Sequence, residues 1–180
     1  MSRGLGDVYK RQKVIYMDDQ VDDCFDSIKM QIINLINKNT EVGEKATDIL
    51  MIAKYLERIG DHAADISEMT ILMAGTPYIR NIEHLQTMAK EAMVMLVKSI
   101  EAYVEKDLEK AEKVIESDDV IDDLFDQIKA ELIDAIHQNP DNGEQAADLL
   151  MVSKYLERIG DHATNIAEWV IFSITGNHPG

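Results

Sequence analysis

The sequence predicts an all-α fold of two pseudo-symmetric antiparallel three-helix bundles, the first lacking its first helix. Three observations carry this. The ten-residue segment KYLERIGDHA stands at 54–63 and again, letter for letter, at 154–163, so the chain is an internal duplication with an offset of one hundred residues. Apolar residues recur at three- and four-residue spacing along most of the chain, and no stretch keeps the period of two that a half-buried strand requires. The breaks between periodic stretches are short and rich in Gly, Pro, Asn and Thr, as befits antiparallel neighbours.

The elements follow in order. The opening MSRGLGDVYKRQ has no counterpart in the second half and resembles non-native sequence at the edge of an incomplete reading frame. Residues 1–12 are therefore expected to be disordered, with the native N-terminus missing. Val21, Phe25, Ile28, Ile32, Leu35 and Ile36 predict a helix over 13–38, and a second is expected over 44–74. Gly75-Thr76-Pro77 reads as a helix end, an N-cap and a first helical residue. A third helix is expected over 79–115, with Ile82, Leu85, Ala89, Ala92, Leu96, Tyr103 and Ala111 on one side. Ser117-Asp118 is expected to cap a fourth running to about Gln138. After the turn at 139–143 a fifth covers 144–174. The repeats are thus 13–75, with two helices, and 76–176, with three. The helix equivalent to 79–115 is expected before residue 13.

The formal charge of −16 opposes nucleic acid, an anionic membrane surface and a bare anion, and favours cations or basic partners. The single cysteine, Cys24, stands where the second half has Leu124, so an apolar position is expected and no disulfide framework is possible. No apolar run reaches the roughly 20 residues of a membrane span. A cytoplasmic protein without membrane insertion is expected.

The chemistry lies in the acidic stripes. At about 100° per residue, Val120, Ile121, Leu124, Phe125, Ile128, Leu132 and Ala135 share one side of the fourth helix, and Asp119, Asp122, Asp123 and Asp126 the other. On the fifth helix Glu157, Asp161 and Glu168 lie opposite the apolar face. The first half repeats this with Asp19, Asp22, Asp23 and Asp26, then Glu57, Asp61, Asp65 and Glu68. Carboxylates four apart on a helix repel when ionised. Hard oxygen ligands so gathered suit a divalent or trivalent cation: magnesium, calcium, manganese or oxidised iron. The plain alternative is a solvated acidic face, neutralised in part by Lys54, Arg58, Lys154 and Arg158.

Gly60 and Gly160 inside helices point to close helix approach. His62 and His162 fall away from the carboxylates and are expected behind the metal ligands or at the surface. No glycine-rich phosphate loop or nucleophile elbow appears, so no catalytic residue is assigned. A ferritin-like centre would need Glu-x-x-His on two helices; Asp134 with His137 comes nearest and becomes Asn34 and Asn37 in the first half. The rival function on these residues is a carboxylate-bridged metal enzyme or metal-storage bundle.

The paired YLERIGDHA segments, the Asp-rich helices before them and the ending Asn165-Ile166-Ala167-Glu168-Trp169-Val170 resemble the PhoU family of phosphate-uptake regulators. The resemblance covers about 13–175. It implies paired three-helix bundles carrying multinuclear clusters of iron or another cation, with manganese, magnesium and zinc as further candidates. It places one cluster on Asp19, Asp23, Glu57 and Asp61, and the other on Asp119, Asp123, Glu157 and Asp161; Asp22, Asp26, Asp122 and Asp126 are further candidate members. It also implies a non-enzymatic cytoplasmic adaptor, a homo-oligomer such as a dimer. Its partners would be the ATPase subunit of a phosphate ABC transporter and a sensor histidine kinase, and it would repress phosphate-starvation genes.

Overall fold

The computed structural model describes residues 3–39, 42–74, 79 and 82–177. Among them it holds six α-helices and no strand: α1 (Arg3–Lys38), α2 (Gly43–Leu72), α3 (Glu83–Glu105), α4 (Leu108–Glu116), α5 (Asp118–Gln138) and α6 (Gly143–Thr175). The expected Gly75-Thr76-Pro77 boundary lies outside the described residues.

Four boundaries or caps differ from expectation. Helix α1 starts at Arg3 rather than residue 13. The opening stretch contains no Pro, and Gly4 and Gly6 each cost a helix only about 1 kcal/mol. The single helix expected over 79–115 begins at Glu83 and breaks after Glu105. There Lys106 adopts the left-handed conformation (φ 54°), and the Asp107 side chain accepts a hydrogen bond from the Lys110 backbone N–H at 3.0 Å. An N-cap aspartate restarts the helix in a new direction, with neither Gly nor Pro to announce it. Ser117 does not cap α5: its hydroxyl donates back to the Lys113 carbonyl at 2.7 Å, and its backbone stays helical. Helices α4 and α5 therefore meet at a bend rather than across a loop.

The second repeat closes as expected. Helices α3, α4 and α5 all pack on α6, whose roughly 50 Å length makes it the spine. Met88, Met95, Val114, Ile121, Ile128, Ile166 and Val170 are fully buried among them. Val120, expected in this core, is 47% exposed. Its neighbour Ile121 takes the inward direction, and the apolar arc of α5 is wider than the face α6 and α3 cover.

The first repeat stays open. Helix α1 packs on α2 and, among the described elements, makes no other extended contact. Of its apolar face only Ile32 is buried; Val21, Phe25 and Ile28 are half-covered and Leu35 is 46% exposed. Helix α2 in turn packs against α6, and this contact joins the repeats.

Candidate metal centre

The close approach that the two helix-interior glycines foretell is present. A Cβ on Gly160 would stand 3.3 Å from Cγ2 of the buried Ile121, so α5 crosses α6 there. A Cβ on Gly60 would stand 2.8 Å from Asp18 Oδ1 and 3.3 Å from Val21 Cγ1, so α1 crosses α2 there. Bare backbone at Gly60 lets the carboxylates of α1 come down beside Glu57, about one turn before it, and the adjacent Asp61.

Asp22, Glu57 and Asp61 each place a carboxylate oxygen within 4.8 Å of the other two. Asp18 joins from the turn before Asp22. Its Oδ1 is buried and has no hydrogen-bond partner among the described residues. Burial first, then the charges of Asp61, Asp22, Asp19 and Asp65, push its carboxyl above the ordinary carboxylate value. Asp61 is pushed up likewise, by burial and then Glu57, against the pull of Arg58. Lys54 bonds Glu57 at 2.6 Å, and Arg58 lies 3.5 Å from Asp61. Two cations thus serve four gathered carboxylates. The donor set is all oxygen, convergent and short of positive charge, which fits a hard cation.

Sequence position does not treat all the candidates alike. Asp19, Asp22, Asp23 and Asp26 are all exposed, but of these only Asp22 joins Glu57 and Asp61, and Asp26 pairs instead with Lys29 at 2.5 Å. In the second repeat Asp119, Asp122, Asp123 and Asp126 are exposed, and Asp126 pairs with Lys129 at 3.2 Å. Asp18 and Asp118 escape the sequence reading, although each stands four residues before a candidate and hence on the same helical stripe.

The second copy differs in hydrogen bonding. Asp118 accepts from the Thr164 hydroxyl at 3.2 Å, where the first repeat has Ala64 and leaves Asp18 without that donor. Asn165 donates to the Asp161 carbonyl at 2.8 Å, where the first repeat has Asp65. Lys154 pairs with Glu157, and Arg158 with Asp161 at 3.2 Å. Burial first, then neighbouring acids, raises Asp122 and Asp161; for Asp118 burial leads and the Thr164 bond opposes it. Among the described residues the compact acidic trio forms in the first repeat alone.

His62 and His162 meet each other across the α2–α6 contact. Their rings stack at 5.5 Å between centroids, 2° from parallel. Tyr155 stacks on His62 at 5.6 Å and Tyr55 lies 5.8 Å from His162, so the four rings repeat the pseudo-twofold axis. Each histidine follows a motif aspartate by one residue, about 100° round the helix, which turns it from the acidic groove to the other repeat. Burial, then His62 and the two motif arginines, lowers His162 from 6.5 to about 4.

That shift sets a pH dependence. The unfolded chain takes the proton near 6.5 and the folded chain only near 4, so protonation favours unfolding across that window. The contribution of neutral His162 is whole above 6.5 and shrinks as pH falls towards about 4, by on the order of 2 kcal/mol. His162→Gln is expected to flatten that part of the profile. The check is the wild-type minus variant difference in thermal stability, in chelator, across the same window; the carboxylate terms cancel in it. A difference that does not vary with pH would refute this assignment.

A family model described as the PhoU domain matches residues 6–70 and 85–170. The chain is 35% identical over 167 residues to the phosphate-specific transport system accessory protein PhoU homolog of Clostridium acetobutylicum, covering 91% of this chain and 76% of that one. Against the protein of the same description from Rhizobium meliloti it is 33% identical over 177 residues, covering 96% and 75%. Its fold superposes on the crystal structure of PhoU from Pseudomonas aeruginosa with a TM-score of 0.86 at 24% identity, covering 94% of this chain and 83% of that one.

Proposed function

The chain belongs to the PhoU domain family, and on that premise we propose that it is an accessory protein of a phosphate transport system that restrains uptake when phosphate is plentiful. The single observation that carries this reading is the family match across both repeats, together with relatives named as phosphate-specific transport accessory proteins. In this reading the protein is a non-enzymatic cytoplasmic adaptor between the transporter's ATPase subunit and a sensor histidine kinase. Among the described residues no helix is long and apolar enough to cross a membrane, which is consistent with acting from a partner's surface.

Asp18, Asp22, Glu57 and Asp61 would hold the cation of the first repeat. Asp118, Asp122, Glu157 and Asp161 are the corresponding set in the second. The bound cation would supply positive charge that cancels carboxylate repulsion and ties each Asp-rich helix to its YLERIGDHA helix. Phosphate sensing then lies with the partners, because a −16 chain repels the free dianion.

The test is binding of the purified, metal-loaded chain to the ATPase subunit of a phosphate ABC transporter from the same genome. Saturable binding that weakens in chelator is expected. No binding to the ATPase subunit or to the kinase, with or without metal, would sink the adaptor reading. Oxidant consumption by the iron-loaded protein would favour the metal-enzyme alternative.

A further inference from the structure

We propose that Lys54 and Lys154 are built-in counter-cations: each occupies its carboxylate site while no metal is bound, gives way when one arrives, and so sets the affinity of that site. The inference rests on the reading of these carboxylates as metal centres and names the residues that oppose their filling.

The geometry is the same in both repeats. The Lys54 ammonium donates to Glu57 Oε2 at 2.6 Å and stands 5.1 Å from the centroid of the Phe25 ring. The Lys154 ammonium pairs with Glu157 Oε2 and stands 5.2 Å from the centroid of the Phe125 ring. Each lysine sits one turn before its glutamate, and each ring comes from the Asp-rich helix across the groove. The second repeat is a closed bundle, so the arrangement does not depend on the open face of the first.

Burial separates these two pairs from the other lysine pairs at the same spacing or one residue more. The side chains of Glu57 and Glu157 are 16% and 15% exposed, whereas those of Asp26, Asp126 and Glu109 are 69%, 75% and 78% exposed. An exposed pair contributes little, because water already solvates both partners. A carboxylate held out of water without a positive partner is costly, so Glu57 and Glu157 need one whether or not metal is present. In the metal-free chain the lysine supplies it; Arg58 reaches the same Glu57 oxygen only at 3.9 Å.

Glu57 is also one of the three carboxylates whose oxygens converge within 4.8 Å. A hard cation and an ammonium on one carboxylate are like charges at close range, and they repel. The ammonium is the one able to leave. It is a compact charge on a flexible stem rather than a planar fork. The ring of Phe25 or Phe125 already lies within the roughly 6 Å over which cation–π attraction acts, so the lysine keeps one partner when it releases the other.

Lys54→Met with Lys154→Met removes both charges and preserves helix propensity. Calorimetric titration of the chelator-treated full chain with manganese(II) is expected to show affinity on the order of 10-fold higher in this double variant. Lys54→Arg with Lys154→Arg keeps the charge and should stay close to the wild type. Thermal melting separates a counter-cation from a merely structural bridge. Without metal the Met variant should melt below the wild type, and saturating manganese(II) should abolish that deficit. Affinity that stays level or falls in the Met variant, or a melting deficit that persists undiminished at saturation, overturns the proposal. Failure of the wild type and of both variants to bind manganese(II) overturns the metal reading, and this proposal with it.

Discussion

Replacing Asp22 and Asp61 together by Asn is expected to lower the affinity of the first repeat for manganese(II) on the order of 100-fold, with helix content unchanged. Both residues belong to the trio whose oxygens converge within 4.8 Å, and neither faces the apolar core. Asn keeps an oxygen but loses the charge, and a hard cation is held chiefly by charged oxygens. Calorimetric titration of the chelator-treated protein is the measurement. Asp23→Asn with Asp26→Asn is the control, because those carboxylates lie outside the converging trio and Asp26 already faces Lys29. Equal loss in both pairs would mean that the whole acidic stripe, rather than the trio, binds. The metal-free double variant is also expected to melt higher than the wild type, since it removes the Asp61 carboxylate, whose charged form burial and the neighbouring Glu57 disfavour.

Ile128→Ala is expected to cost about 2–5 kcal/mol, and Ile28→Ala less than half as much. The two are equivalent residues of identical type, which makes them a direct comparison of the repeats. Ile128 is fully buried beneath α3 and α6, so truncation leaves a cavity that close-packed neighbours cannot fill. Ile28 lines an open groove, and the deleted methyl groups are partly in solvent already. Chemical unfolding of each variant beside the wild type, under the same conditions, is the check. Equal losses would show that the first repeat is as closed as the second.

The repeat, the all-α fold and the close helix approach were all legible in the residues. KYLERIGDHA at 54–63 and 154–163 declares two like units, and periodicity of three and four over long stretches admits only helices. Gly60 and Gly160 report backbone contact because only a missing Cβ makes the approach affordable. These features are local: each depends on residues within a few turns. The break after Glu105 was not legible, since Asp107 is an unremarkable residue until its side chain turns onto the Lys110 N–H. Residues 3–12 likewise join α1 although no periodicity marks them as helical.

What the tertiary structure alone decided is which carboxylates meet and what the histidines touch. Spacing puts Asp19, Asp22, Asp23 and Asp26 on one broad stripe, but the angle at which α1 crosses α2 at Gly60 selects Asp22, with Asp18 beside it, to face Glu57 and Asp61. Near-identical repeats then diverge through Ala64 and Thr164, because one hydroxyl in reach satisfies Asp118 and its absence leaves Asp18 buried without that bond. His62 and His162 are a hundred residues apart in sequence and stacked in space, a contact set by the α2–α6 crossing. A helix wheel gives direction around one axis; which directions become contacts depends on where the other axes pass.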